Sequence, residues 1–391
     1  MNGPLDGIRI IDVTQMVSGP MATMILADQG ADVIKVEPPG MGDLTRALSG
    51  KSAMSPVFAV INRNKRSVVI NLKEQHGVEL LKNLVRDADL FVQNFRPGAA
   101  ERMGIGYDVL SALNPKLVYV SISGFGEKGP YVHKRVYDPV VQALSGLASI
   151  QSDSTGRPRM FRLIVPDLIT AMTAAQAMTA ALLGRVRIGK GQHLKLAMLD
   201  AVIAFQWPEG MAAYTFKGNE DVVVRQTSRD LIYETADGYI TVGAVSDAEW
   251  QGLARAIGHP EWLDDPRFST PAARVRHAED RLSLTAAALQ HKTSAEWLRA
   301  FDAAQVPCSP VLSRKDLLSD PQIAANGMIL EMEHPNGGPM RQPRPAARFD
   351  GEATQIRRAA PMLGEHTDEV MQSLGLERAA IDELRASGIV A

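Results

Sequence analysis

The residue best placed to do chemistry is Asp167, a carboxylate at the mouth of an uncharged run, residues 168–184, made mostly of Ala, Leu, Ile, Met and Thr. A helix built from that run is apolar on nearly every side and belongs in a core. An aspartate at its start has an ordinary role, capping orphan backbone N–H groups and complementing the positive end of the dipole. The same geometry also holds an ionised carboxylate against a crevice, ready to act as a nucleophile. A second candidate, Gly124-Phe-Gly126-Glu-Lys-Gly129, matches the G-x-G-x-x-G of dinucleotide-binding turns. Against that reading, it follows a fourth or fifth strand, Pro130 comes next, and residues 131–136 look like loop instead of an opening helix. The single cysteine, Cys308, lies in Val-Pro-Cys-Ser-Pro-Val with no preceding helix and reads as a small buried residue. No H-x-x-x-H or C-x-x-C spacing offers a metal site.

The elements that must position Asp167 begin at the first strand, residues 8–13. Ser18-Gly19-Pro20 follows, then a helix over about 21–29 and a second apolar strand at 33–36. Gly19 lets the backbone turn and Pro20 suits a first helical position, so free N–H groups are expected to point at whatever binds there. The alternation continues through strand 66–72, helix 74–87, strand 89–93, a short helix near 98–103 and strand 117–123. After the core helix, Gly189-Lys190-Gly191 turns into a strand at 192–197, and an apolar helix follows over 199–213. Strands alternating with helices imply an α/β, Rossmann-like open parallel sheet with ligands beyond the carboxyl ends of its strands. Four such ends carry polar or glycine-rich loops, at 14–19, 37–43, 94–98 and 124–129.

At 391 residues the chain is too long for one ordinary core, and its composition shifts near residue 222. The expected organisation is a large α/β domain over 1–200, a linker helix over 201–221, a smaller α+β domain over 222–325 and a return to the large domain over 326–391. The smaller domain carries a hairpin around Asp237-Gly238 and two capping boxes, at Ser246 and Thr293. Residues 335–349, rich in Gly, Pro and Arg, read as a connection, and a helix over 368–373 lies in the tail. With 42 basic and 44 acidic residues there is no basic field for nucleic acid. The core run is too short and too rich in Thr and Gln for a membrane span, and the first residues lack the pattern of a signal peptide. One cysteine fits a reducing compartment, so the expected location is the cytoplasm.

Taken together, several stretches resemble one family, the class III coenzyme A transferases, which include formyl-CoA transferase and, less closely, the α-methylacyl-CoA racemases. The resemblance rests on Pro4-Leu-Asp-Gly-Ile-Arg, Gly30-Ala-Asp-Val-Ile-Lys-Val-Glu37, Gly40-x-Gly-Asp43 and Asn64-Lys-Arg-Ser67. It continues through Asn94-Phe-Arg-Pro-Gly98, Ser123-Gly-Phe-Gly126, Tyr137-Asp138 and Pro361-x-Leu-Gly-Glu-His-Thr367, in order over nearly the whole chain. It implies a large domain built from both chain ends, a small domain on long linkers, and two chains interlocked as a homodimer. It also implies Asp167 as the nucleophile that forms an aspartyl-CoA thioester, with acyl-CoA and a carboxylic acid as substrates and no permanently bound cofactor. An aspartate near its reference pKa of about 3.9 is ionised at neutral pH without a general base, and the helix N-terminus is expected to help. CoA contacts are implied at Val17, Ser18, Leu72, Lys73, Asn94, Phe95, Arg96 and Arg102, and at Lys134, Arg135, Val136 and Tyr137. Arg and Lys suit the phosphates, and Phe suits the adenine.

Departures from the family's branches bear on the substrate. The racemases have His-Asp where this chain has Tyr137-Asp138, and His133 reads as a loop-surface residue, which leaves racemisation as the alternative reading. Formyl-CoA transferase has Gln at the position of Val17 and a glycine-rich loop that residues 222–230 lack. A larger acid than formate or oxalate fits better, and Arg162 or Arg225 is a candidate partner for a second carboxylate, as in succinate. A non-catalytic CoA-binding partner subunit is the third reading.

Overall fold

In the computed structural model, residues 3–48, 54–152, 155–218 and 230–391 are described. They fall into two compact units, one made of Met1–Gln151, Pro158–Ala212 and Asn326–Ala391, the other of Ser152–Arg157 and Ala213–Ala325.

The first unit is organised by a six-stranded sheet of β1 (Arg9–Asp12), β2 (Asp32–Glu37), β3 (Lys65–Val69), β4 (Leu90–Gln93), β5 (Val118–Ser123) and β6 (Gln192–Ala197). Its order is β3-β2-β1-β4-β5-β6 and every neighbouring pair is parallel. The direction of winding reverses between β1 and β4, and in such sheets the crevice beyond the strand ends at that point is where ligands bind. Leu90, Phe91 and Val92 of β4 and Val118, Tyr119 and Val120 of β5 are fully buried, as in a sheet covered on both faces. Ile11, Ile34 and Phe91 pack with the helix Gln75–Arg86 and the C-terminal helices, whereas Ile10, Val33 and Leu90 pack with the helices Ser18–Asp28 and Val165–Ile188.

The long helix Val165–Ile188 extends past the apolar run at both ends and stops at Gly189, whose φ of 72° is the left-handed conformation that a residue without Cβ adopts freely. Its expected all-round cover is only half supplied by the chain. Ala171, Ala174 and Met178 are fully buried, but Met172 is 63%, Val186 78% and Ile188 74% exposed.

Under the strand ends lies an ionic network closed to water. Lys65 Nζ meets Asp12 Oδ2 at 2.9 Å and also donates to Asn62 Oδ1 (2.9 Å) and the Pro20 carbonyl (2.7 Å). Lys35 Nζ meets Asp43 Oδ2 at 2.8 Å and donates to the Thr14 carbonyl at 2.8 Å. Arg46 makes a two-pronged pair with Glu37, at 2.7 and 2.8 Å. Burial alone would raise the Asp12 carboxyl. Lys65 and Lys35 beside it, with the Thr14 and Thr23 hydroxyls, instead hold it well below its ordinary range.

Several stretches differ from the sequence reading: the helix expected over 199–213, with a linker helix to 221, runs from Met198 to Gly210, and the helices Pro56–Ile61 and Tyr107–Leu113 stand where no element was expected. Residues 335–349 are not a plain connection, because Gly338–Pro343 pairs antiparallel with Ile329–His334. Its turn contains Asn336-Gly337, the commonest short hairpin signal, and the His334 Nδ1 accepts the N–H of both residues, at 3.2 and 3.0 Å. The tail carries a further helix, Arg378–Ala386, and beyond it Val390 forms an antiparallel bridge to Ile70 while the Ile389 carbonyl accepts the Asn71 N–H at 2.8 Å.

In the second unit the hairpin Ile232–Glu234/Tyr239–Val242 gains a third strand, Cys308–Pro310, and both capping boxes form. Trp250, Trp262, Phe268, Trp297 and Phe301 make its core. Cys308 is half-buried, where burial and nearby Asp302 push its thiol up to about 11, far from the thiolate a nucleophile requires.

Candidate active site

Asp167 is the third residue of its helix, after Pro166, and not the N-cap, which is Ile164. It faces Ser18. Ser18 is the first residue of the helix that follows β1, so its N–H is one of the donors a helix leaves unpaired. The turn into that helix needs Gly19, since a Cβ there would stand 2.4 Å from the Thr14 Cβ.

Burial pushes the Asp167 carboxyl up from its ordinary range, the Ser18 hydroxyl and N–H oppose that rise, and the charge of Asp138 adds to it. The sequence expectation of an ordinary aspartate is corrected here: desolvation outweighs the helix N-termini. As pH falls, this carboxyl therefore gives up its charge at a higher pH than an ordinary aspartate does.

Asp138 is buried, and its own carboxyl is also raised by burial, with Gln142 and the Asp167 N–H working the other way. Its Oδ2 accepts the Asp167 N–H at 3.3 Å and its Oδ1 accepts from Gln142 Nε2 at 2.6 Å. Gln142 in turn accepts the Phe161 N–H (2.9 Å) and donates to the Leu163 carbonyl (3.1 Å), which ties the strap before Asp167 to the helix Asp138–Leu144.

Asp167 opens onto a cavity of about 410 Å³ beyond the ends of β1, β4 and β5. Of the sequence-predicted CoA contacts, the structure brings Ser18, Asn94, Phe95, Arg96, Lys134, Arg135, Val136 and Tyr137 to this cavity. Asn94 spends its amide on the backbone of the opposite loop, accepting the Gln15 N–H at 3.0 Å and donating to the Gln15 carbonyl at 2.7 Å. Four predicted contacts do not line it. Val17 turns inward as a buried helix N-cap, Leu72 packs on the core beyond β3, and Lys73 is exposed next to it. Arg102 lies along the Asn94–Gly98 loop, its Nη1 3.0 Å from where a Cβ on Gly98 would stand. A neighbouring cavity of about 570 Å³ shares Phe95, Arg96 and Phe125 with the first and adds Lys128, Lys195 and Asp200.

Sequence reasoning named none of Gln15, Met16, Leu44 and Met198 as lining residues, nor Asp138 as the neighbour of Asp167. Gln15 and Met16 had a signal in the 14–19 loop that ends the first strand, and Asp138 had one in the Tyr137-Asp138 pair; Leu44 and Met198 had none. The Gly124–Gly129 run stays in a loop with no helix opening before Asp138, and Gly124 is needed because its Cβ would stand 2.4 Å from Val136 Cγ1. His133 is exposed, Arg162 is exposed on the strap, and Arg225 lies outside the described residues. Among the described residues no group of His, Cys, Asp and Glu is arranged to hold a metal ion, and no helix is long and apolar enough to cross a membrane.

Comparison with known proteins places this geometry. The model of CoA-transferase family III matches residues 5–367. The mouse succinyl-CoA:glutarate CoA-transferase is 34% identical over 395 residues, covering 99% of this chain and 90% of that protein. The Escherichia coli O139:H28 formyl-CoA:oxalate CoA-transferase is 33% identical over 409 residues, covering 96% of each. Among solved structures, Rv3272 of Mycobacterium tuberculosis superposes with a TM-score of 0.82 at 30% identity, covering 94% of this chain and 98% of that one. Similarity sustained from end to end, over a parallel sheet whose switch point holds a carboxylate and a cavity, makes this chain a member of CoA-transferase family III.

Proposed function

We propose that the chain moves coenzyme A from an acyl-CoA donor to a carboxylic acid through an aspartyl-CoA thioester on Asp167. The observation that carries this reading is the position of its carboxyl, in the switch-point cavity and facing the donors of Ser18. The Asp167 carboxylate attacks the donor thioester carbonyl and expels CoA thiolate, leaving a mixed anhydride. The thiolate attacks the aspartyl carbonyl, forms the aspartyl-CoA thioester and releases the donor acid as its carboxylate. The acceptor carboxylate then attacks that thioester, and the thiolate returns to the acceptor's carbonyl, freeing Asp167. Each step exchanges one acyl bond for another and no proton is consumed, so a carboxylate without a partner base suffices. Arg96, Lys134 and Arg135 at the rim supply cations for the phosphates of CoA.

The acceptor is a dicarboxylate longer than oxalate. The name of the mouse relative, with succinyl-CoA and glutarate, supports this class, and exposed Arg162 near the nucleophile is the candidate partner for the distal carboxylate. The test is intact-protein mass spectrometry after mixing with succinyl-CoA, acetyl-CoA and 2-methylacyl-CoA, followed by hydroxylamine. A hydroxamate on Asp167 is expected with succinyl-CoA. Exchange at the α-carbon of the 2-methylacyl group without labelling would instead make the chain a racemase, and inertness toward all three would favour a non-catalytic subunit.

We further propose a homodimer that covers the open side of the long helix, where Met172, Leu183, Val186 and Ile188 are exposed. Sedimentation velocity is expected to give twice the chain mass for the wild type and a shift toward monomer for V186D/I188D. A monomeric wild type would refute it.

A further inference from the structure

Three backbone residues between β1 and Ser18 are held by four side chains: Asp12 of β1 itself, Lys35 of β2, Asp43 of the loop after β2 and the half-buried Asn94 just past β4. The Thr14 N–H donates to Asp12 Oδ1 (2.9 Å) and its carbonyl accepts from Lys35 (2.8 Å). Gln15 is clasped at both its N–H and its carbonyl by Asn94. The Met16 N–H donates to Asp43 Oδ1 at 3.2 Å. Met16 has a φ of 68°, a left-handed conformation that costs a side-chain-bearing residue about 1 kcal/mol or more and persists only where the surroundings impose it.

Asp43 is built to impose it. Its carboxyl is fully buried, with Oδ1 fixed by the N–H (2.9 Å) and hydroxyl (2.8 Å) of Thr45 and Oδ2 against Lys35 Nζ at 2.8 Å. Its own N–H is anchored on Glu37 Oε2 at 2.9 Å. Two residues after Met16 comes Ser18, which directs its hydroxyl and N–H at Asp167.

We infer that Asp43 is a positioning residue for the transfer reaction: by holding Met16 in its left-handed turn from within the Lys35–Glu37 network, it aims the donors of Ser18 at the Asp167 carboxylate. The inference rests on the reading of Asp167 as the nucleophile. The chain of contacts runs from the end of β2 to the end of β1 and from there to the head of the long helix, so Asp43 acts on Asp167 without touching it.

The test measures hydroxamate formation on Asp167 with succinyl-CoA across pH, and hydrogen exchange of the peptide spanning 14–18. The other charged or titratable groups lining the cavity, Asp138, Arg96, Lys134, Arg135 and Tyr137, are left unchanged. D43A should move the acid limb of labelling upward by about one pH unit, roughly a tenfold loss of rate below it. S18A should do the same, and D43A/S18A should do no more than S18A alone. Amide exchange in 14–18 should rise in D43A. M16G/D43A, in which glycine adopts the left-handed turn without help, should restore the acid limb, which a purely stabilising role of Asp43 would not allow. If D43A does not fold, D43A/K35M, which removes the buried pair together, and K35M carry the comparison, K35M being expected to raise exchange at 14–18 through the lost Thr14 contact.

An acid limb unmoved by D43A, or a D43A/S18A shift equal to the sum of the two singles, overturns the inference while leaving Asp167 as the nucleophile. A wild type that labels elsewhere, or not at all, overturns the assignment of Asp167 and the inference with it. The exchange data would then report a turn held for stability alone.

Discussion

On the proposed covalent route, Asp167→Ala is expected to lower CoA transfer from an acyl-CoA donor to a carboxylate acceptor by at least about 10⁴-fold, the scale on which enzymes lose a covalent nucleophile. Asp167→Asn should fall as far, because a carboxamide keeps the shape of the side chain but cannot form the anhydride. If the proposed phosphate contacts of Arg96, Lys134 and Arg135 at the cavity are made, the loss belongs in kcat and KM for the acyl-CoA should change by less than about threefold. Stability should move the other way. The native carboxyl is held in a site that raises its pKa by burial and by the neighbouring charge of Asp138, and deleting it removes an unfavourable desolvation. Steady-state kinetics and thermal denaturation of the same preparations check both halves. Transfer within tenfold of wild type in Asp167→Ala would eliminate the covalent route.

Lys65→Met carries the second large effect, on stability. Lys65 and Asp12 are both fully buried, and removing one partner of such a pair costs about 3–5 kcal/mol because the other charge stays behind. Met fills most of the Lys volume but leaves Asn62 Oδ1 and the Pro20 carbonyl without their donor. The expected result is a fall in Tm on the order of 10 °C. The pH dependence identifies the cause. In the wild type the folded pKa of Asp12 lies below its ordinary 3.8, so its stabilisation is complete above that value and is lost as pH falls. In Lys65→Met the same carboxyl has lost its strongest cation, its folded pKa rises, and protonation no longer costs the folded state as much. The gap between mutant and wild type should therefore narrow below about pH 4. A gap constant from pH 7 to pH 3 would mean that packing, and not the ion pair, sets the loss.

Much of this organisation is legible in the residues. Each strand of the sheet carries an apolar stretch, such as Ile10-Ile11 or Leu90-Phe-Val92, and the structure places each strand within a few residues of its expected limits, because those stretches are buried between the covering helices. Asp167 is legible as a candidate because it stands at the head of the uncharged run 168–184, although the helix itself continues through Arg185 and Arg187. The missing parts depend on distance in sequence. Asp43 and Lys35 read as loop and strand residues, and nothing local shows that their side chains converge on Thr14 and Met16. Asn94 looks like a ligand contact because it follows β4, but its amide is consumed by Gln15, a partner 79 residues away. Val17 sits beside Ser18 yet points into the core, a consequence of the helix starting at that step. The raised pKa of Asp167 was not legible either, since burial and the approach of Asp138 are tertiary facts.

The bridge from Val390 to Ile70 has a consequence for how the chain is made. The edge of the sheet beside β3 is closed by a segment synthesised 320 positions later, and the helices Thr367–Ser373 and Arg378–Ala386 that cover one face arrive with it. The segment Ala213–Ala325, by contrast, is nearly continuous as a compact unit and leaves the ribosome before them. The order of folding therefore inverts the order of synthesis: the unit begun first is finished last, and until residue 390 emerges its half-covered sheet is the surface that holdase chaperones have reason to occupy.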